Sequence, residues 1–179
     1  PDYNVHEYVD LGLPSGLKWA TCNVGATTPE EYGNYYAWGE TTTKVSYDQS
    51  NSVTYGQQIS DFSGNATYDA ARANWSSTWR MPTKAEMEEL LNNCTWTWTT
   101  QNGVNGYTVT GPNGNSIFLP ITGFMYGKDL TDDEWGFYWS NSYGNGAMSN
   151  ASSMFSISNI IDWNHAARRY GKSVRPVCQ

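Results

Sequence analysis

The chain is 179 residues long, and its chemistry-bearing side chains are two histidines, three cysteines and two groups of carboxylates. His6 stands near the start, where a solvated role is expected, and His165 sits in a stretch of small polar residues, where it reads as a contact residue. Cys22, Cys94 and Cys178 match no metal spacing and no CxxC redox motif; a Cys22–Cys94 disulfide stays open for an exported protein. Glu86, Glu88 and Glu89 follow Thr83 in a capping box, Thr83-Lys84-Ala85-Glu86. They read as capping and solvated-face groups, because no histidine or metal motif converges on them. Asp129-Leu130-Thr131-Asp132-Asp133-Glu134 could offer carboxylates to a hard cation, but it lacks the EF-hand spacing and its glycine, so it reads as a solvated turn. No catalytic set emerges. An enzyme is not expected, and neither is a metal or a cofactor.

The elements around these groups read as a loop-rich α+β domain. Residues 8–13 and 17–20 form two strands about the turn Pro14-Ser15-Gly16, together a hairpin. Tyr35-Tyr36-Ala37-Trp38-Gly39 is an aromatic segment whose rings belong in a core, and residues 41–66 form a long polar insertion. A first helix is expected over 69–74, with Thr67 as its cap. A second starts at the capping box after Pro82, with Met87, Leu90 and Leu91 recurring on one face. Residues 95–99 alternate Thr and Trp at period two, a strand. Residues 106–110 and 116–119 read as strands joined around Pro112-Asn113-Gly114, since Asn and Gly both accept positive φ.

Composition narrows the class. The length suits one domain with a real core, and nine Trp and thirteen Tyr beside seventeen Gly favour short strands and loops over a helical bundle. Charged residues make up 15%, below the usual quarter or so. A net charge of −7 argues against nucleic acid or an anionic membrane as partner, because both need clustered Lys and Arg. No run approaches the roughly 18 apolar residues of a membrane span, so no membrane insertion is expected. The start at Pro1 rather than Met suggests that any signal peptide or preceding segment has been removed.

The last third, from residue 137, is the most informative stretch. It is rich in Ser, Asn, Gly and Ala with single aromatics, and Trp139, Met154, Ile161, Trp163 and Val174 recur as anchors. Small polar residues between packing anchors suit a surface built to touch something.

The order of motifs resembles the Fibrobacter-type major paralogous domain of gut Bacteroidetes surface proteins and their phages. The residues that carry the resemblance are the run 17–26 (Leu-Lys-Trp-Ala-Thr-Cys-Asn-Val-Gly-Ala), Tyr35–Gly39, Trp79-Arg80-Met81-Pro82-Thr83 with Glu86 and Leu90, and Asn113-Gly114 with Ile117-Phe118-Leu119-Pro120. Tyr138-Trp139-Ser140 and Ser173-Val174-Arg175-Pro176-Val177 complete it. It covers nearly the whole chain and implies one C-type-lectin-like domain over 1–179, with short antiparallel strands, two helices and long loops. Calcium-dependent sugar binders of that fold carry Glu-Pro-Asn, Gln-Pro-Asp or Trp-Asn-Asp, none of which occurs here. The dispersed cysteines do not resemble the reactive pair of formylglycine-generating enzymes.

Within that group, Ala151, Met154, Ile161, Arg168, Gly171 and Ser173-Val174-Arg175 resemble the fixed scaffold of the variable proteins of diversity-generating retroelements. There a reverse transcriptase randomises template adenines, so AAC-type codons diversify without ever yielding Met, Trp, Lys, Gln or Glu. The resemblance implies a variable, ligand-binding region over about 137–171. Its candidate contact residues are Tyr143, Asn145, Ser149, Ser153, Phe155, Ile157, Asn159, Asp162, Asn164, His165, Ala167, Arg169 and Tyr170, all allowed outcomes of such a codon. Ser153, Phe155, Ile157 and Asn159 alternate at period two, which places them on one strand face opposite Met154. Phe155 and Ile157 are then expected to face solvent, clustered with Tyr143, His165 and Tyr170. Ser156 departs from the pattern, standing where the variable proteins place an aromatic core residue.

The expected function is non-catalytic recognition by a diversified surface, in receptor binding or adhesion. The partner would be a protein or glycan ligand on a cell or phage-host surface, and the setting extracellular, on a bacterial surface or a phage virion. The alternative is an undiversified structural or adhesin domain of a bacterial surface protein.

Overall fold

In the computed structural model, residues 6–75, 78–144 and 148–179 are described. Along the chain run β1 (Tyr8–Asp10), β2 (Lys18–Ala20), α1 (Ala70–Trp75) and α2 (Lys84–Asn93). Next come β3 (Thr95–Gln101), β4 (Val104–Thr110), β5 (Ser116–Pro120), β6 (Phe124–Tyr126) and β7 (Asp129–Thr131). The chain continues through β8 (Gly136–Tyr143), β9 (Asn150–Ile157), β10 (Ile160–Ala167) and β11 (Val177–Cys178). The strands form small sheets, ordered β1-β2-β11, β10-β9-β8, β3-β4-β5 and β6-β7, and neighbouring strands within each sheet run antiparallel. The architecture is mixed α+β, as expected.

Local chemistry explains most boundaries. At α2 the capping box closes both ways: the Thr83 hydroxyl accepts from the Glu86 amide at 3.1 Å, and the Glu86 carboxylate accepts from the Thr83 amide at 2.8 Å. Arg80 holds that carboxylate in a two-pronged ion pair at 2.6 and 2.7 Å. α1 starts after Asp69, not under a Thr67 cap. The buried Asp69 carboxylate accepts from the Arg72 amide at 3.0 Å and from the Met81 amide at 2.9 Å, capping the helix and tying it to the next segment. β1 stops at Asp10, short of the expected 13, because its side chain accepts from the Gly12 amide and turns the chain at Gly12 (φ 71°).

The hairpin expected around Asn113-Gly114 forms, with Thr110 paired to Ser116. An Asn-Gly pair does close a two-residue turn, but at Asn102 and Gly103 (φ 48° and 83°), between β3 and β4. Around Asn113-Gly114 the link is a longer loop over 111–115 in which Gly114 alone has positive φ.

The β10-β9-β8 sheet lies between two apolar clusters. Residues paired across the ladder share a face. Tyr138 and Met154 therefore pack with Leu90, Met87 and Leu119, and Trp139, Ala151 and Ala166 pack with Trp38, Trp79 and Val174. Trp163, expected as a buried anchor, is half-buried at the edge strand, with the Lys84 ammonium 5.5 Å from its ring. Ser156 is buried opposite Gly136, where an added Cβ would come within 2.7 Å of its hydroxyl, so an aromatic ring has no room there.

The C-terminal motif is a clamp. The buried Arg175 guanidinium donates to Asn23 Oδ1 and to the carbonyls of Ala20, Thr21 and Phe118, joining the first sheet to β5. A fork of fixed donors that meets several carbonyls at once is a task for arginine rather than lysine. His6 is not solvated as expected. It stacks on Trp75 with centroids 3.7 Å apart, and burial lowers its pKa. The three cysteines are unpaired, so the Cys22–Cys94 bridge is not formed.

Candidate functional site

The contact side chains expected from the sequence are held by β9, β10 and the segment that follows. Period two and the ladder register set their faces: Phe155 pairs with Asp162 and with Phe137, and Ser153 pairs with Asn164 and Trp139. Toward Trp139 this face is covered. Lys172, itself buried, donates from Nζ to the Ser153 hydroxyl at 2.6 Å, and that hydroxyl bonds to Asn164 Oδ1. Ser153 is consequently wholly buried, a correction to its expected place in a solvent-facing row. Asn159 leaves the row as well: it sits in the turn joining β9 to β10 at φ 76°, and its amide donates to the Tyr107 hydroxyl.

Toward Phe155 the same face opens. Phe155 is half-buried and lies in a row of rings: Trp135 (centroids 5.4 Å away), Phe137 (6.5 Å), then Phe124 against Phe137 (5.2 Å) and Tyr170 against Phe124 (5.0 Å). Tyr126 stands edge-on to Tyr170, and the Arg169 guanidinium lies 4.9 Å from the Tyr170 ring centre. Long-range pairing brings these groups together. Met125 and Gly171 exchange backbone hydrogen bonds of 2.7 and 3.0 Å, which docks the β6-β7 hairpin against residues 169–171. Gly171 is required there, since an added Cβ would lie 2.7 Å from the Tyr47 ring. Beside Phe155 the row encloses a cleft of about 270 Å³, lined by Asp132, Trp135, Phe137, Phe155 and Asn164.

The other candidates lie elsewhere, so Tyr143, Phe155, Ile157, His165 and Tyr170 do not share one face as expected. Ile157 lines a separate cleft of about 530 Å³ with Tyr32, Trp98, Asp133 and Glu134. Tyr143, 48% exposed, lines a third of about 390 Å³ with Met148, Ile59 and the buried Arg168. His165 is exposed at that end, on the sheet face of Met154. Ser149 and Ala167 are half-buried beside the Arg168 amide, which donates to the Ser149 carbonyl. Asp162 is exposed and accepts from the Trp163 amide at 2.7 Å. Asn145 lies outside the described residues.

Sequence reasoning missed Phe124, Tyr126 and Trp135, and read Asp132 only as part of a solvated turn. Their signal was present: aromatics flank an acidic loop too short to bury them by itself. Among the described residues no group of three or more His, Cys, Asp or Glu is placed to hold a metal ion, and no helix is long and apolar enough to cross a membrane.

Two buried cations stand beside these clefts, Arg168 at the Tyr143 cleft and Lys172 behind Phe137. Arg168 Nη1 donates to the Thr54 and Gln57 carbonyls, and its guanidinium lies 4.3 Å from the Trp38 ring centre. Lys172 Nζ lies 4.7 and 4.5 Å from the ring centres of Phe137 and Trp139, and burial holds its amine well below the usual lysine value. Lys172 thereby braces the underside of Phe137 in the aromatic row, while Arg168 ties the Tyr143 cleft to residues 54–57. No family model, curated protein or solved structure matches this chain.

Proposed function

We propose that this chain is a non-catalytic recognition module of C-type-lectin-like fold, whose binding face is the aromatic row and cleft at the open end of β9 and β10. One observation carries the reading. The positions expected to be fixed, Ala151, Met154, Arg168, Gly171, Ser173, Val174 and Arg175, are buried, and only Ile161 is half-buried; the described contact candidates, Ser153 excepted, all keep accessible surface. A backbone held by buried anchors tolerates change at its accessible side chains better than at the anchors: exposed substitutions alter stability by about 0.5 kcal/mol or less, and half-buried ones cost less than truncating a buried anchor. Half-exposed rings beside Asn and Asp resemble a paratope, with stiff contact area beside adaptable hydrogen-bonding groups. The partner is a protein or glycan on a cell or phage-host surface, and the setting is extracellular.

A second reading, an undiversified structural or adhesin domain, is favoured by Ser153 and Asn159, whose tasks of bonding a buried lysine and holding positive φ few side chains could fill. Sequencing the locus in many isolates separates the two. Diversification gives a template repeat and a reverse transcriptase beside the gene, with changes at Phe155, Asp162, Asn164, Arg169 and Tyr170 but not at Met154, Arg168 or Lys172. Isolates with an invariant row and no such locus would support the undiversified domain.

A further inference from the structure

Within that face, and resting on the reading of it as a recognition surface, one cleft has a definite chemical preference. Its walls are the Trp135, Phe137 and Phe155 rings; Trp135 and Phe137 lie 13° from parallel, and Phe155 is tilted 33° and 32° to them. Asp132 lines the same cleft, and Asp162 stands directly across the ladder from Phe155. Both carboxylates are exposed, and neither takes part in a salt bridge among the described residues, where the ion pairs use Glu40, Glu86 and Glu88 instead. Asp133 and Glu134, next in the chain, line the separate Ile157 cleft.

Aromatic rings beside carboxylates that form no ion pair attract a flat cation. The ring quadrupoles draw positive charge to their faces, a planar guanidinium can stack where an ammonium cannot, and a carboxylate can accept its forked N–H groups. We infer that this cleft receives an arginine side chain presented by a protein partner, stacked on Trp135 and Phe155 and paired with Asp132. The chain's net charge of −7 favours approach of such a partner. Lys172 lies behind Phe137, its Nζ 4.7 Å from the ring centre, and burial lowers its pKa.

The test is an NMR titration of the whole chain with the peptide acetyl-Gly-Arg-Gly-Arg-Gly-amide, read at the Trp135 indole N–H and the Asn164 side-chain amide. The same peptide with citrulline for arginine keeps the shape and removes the charge; a methyl glucoside and acetyl-glutamate-amide probe neutral and anionic occupants. Saturable shifts with the arginine peptide are expected, weakened at least fivefold by citrulline, by Asp132→Asn or by 0.5 M salt, and lost in Trp135→Ala. Equal binding of the citrulline peptide would overturn the inference. So would preferential binding of the glucoside or the glutamate, or the absence of any shift with arginine. A ligand that footprints on this face without placing an arginine in the cleft overturns the inference alone. Ligands that never footprint here overturn the reading of the face as well.

Discussion

Neighbouring residues on β9 should respond to truncation very differently. Met154 is 1% exposed and packs in the cluster of Leu90, Tyr138 and Tyr107. Met154→Ala removes a fully buried side chain and leaves a cavity between a helix and two sheets, at a cost of about 2–5 kcal/mol. Phe155, on the other face, is half-buried and touches Trp135 and Phe137 by ring contacts alone. Full burial of a Phe is worth about 3–5 kcal/mol on truncation. Half of that, for a side chain whose site already opens to solvent, gives about 1.5–2.5 kcal/mol as an upper bound. In a chain of this size 1 kcal/mol moves Tm by roughly 2–4 °C. Met154→Ala should therefore lower Tm by roughly 4–20 °C, and Phe155→Ala by no more than about half as much while leaving the fold intact by circular dichroism. Thermal melts of both variants at one pH measure it. Equal destabilisation would refute the division of this strand into an anchored side and a contact side.

Two further outcomes follow from buried polar groups. Burial lowers the pKa of Lys172 below its usual 10.5, so the unfolded chain holds a proton that the folded chain releases. Stability should accordingly rise with pH through the window below 10.5 and lose that slope in Lys172→Met, which at pH 6 should melt no lower than wild type; melts at pH 6, 8 and 9.5 measure it, and identical slopes in the two proteins would contradict the assignment. Asn159 holds φ 76° in the β9–β10 turn, so Asn159→Gly should be nearly neutral and Asn159→Val should cost about 1–2 kcal/mol in urea unfolding; a neutral Val would show that the turn relaxes.

What could be read in the sequence was local. The capping box at Thr83, the strand around 95–99 and the strands flanking 111–115 all appear, because each depends on residues within a few positions of one another. The division of β9 at period two was legible too, and Met154 and Phe155 do face opposite ways. Period two names the faces but not what covers them. Lys172 reaches over Ser153, and the Met125–Gly171 pairing brings Tyr126 and Phe124 to Tyr170; both contacts join distant segments, and no local pattern encodes them. The hairpin around Asn113-Gly114 forms as expected, but the length of its loop was not legible for a related reason. Residues 102–103 and 113–114 carry the same dipeptide, and only the ladder registers distinguish a two-residue turn from a longer loop.

The most direct test is a footprint. A library randomised at Phe155, Asp162, Asn164, Arg169 and Tyr170 would be displayed and selected against a protein target, and the winning variant examined by hydrogen exchange with and without its target. Folded variants should be common, and protection on binding should fall on 124–126, 132–137, 155, 162–164 and 169–170, leaving the Tyr143–Met148 cleft and the β3-β4 hairpin unchanged. Selected binders whose protection maps to that cleft or hairpin, or a library that fails to fold, would contradict the placement of the recognition face on the aromatic row.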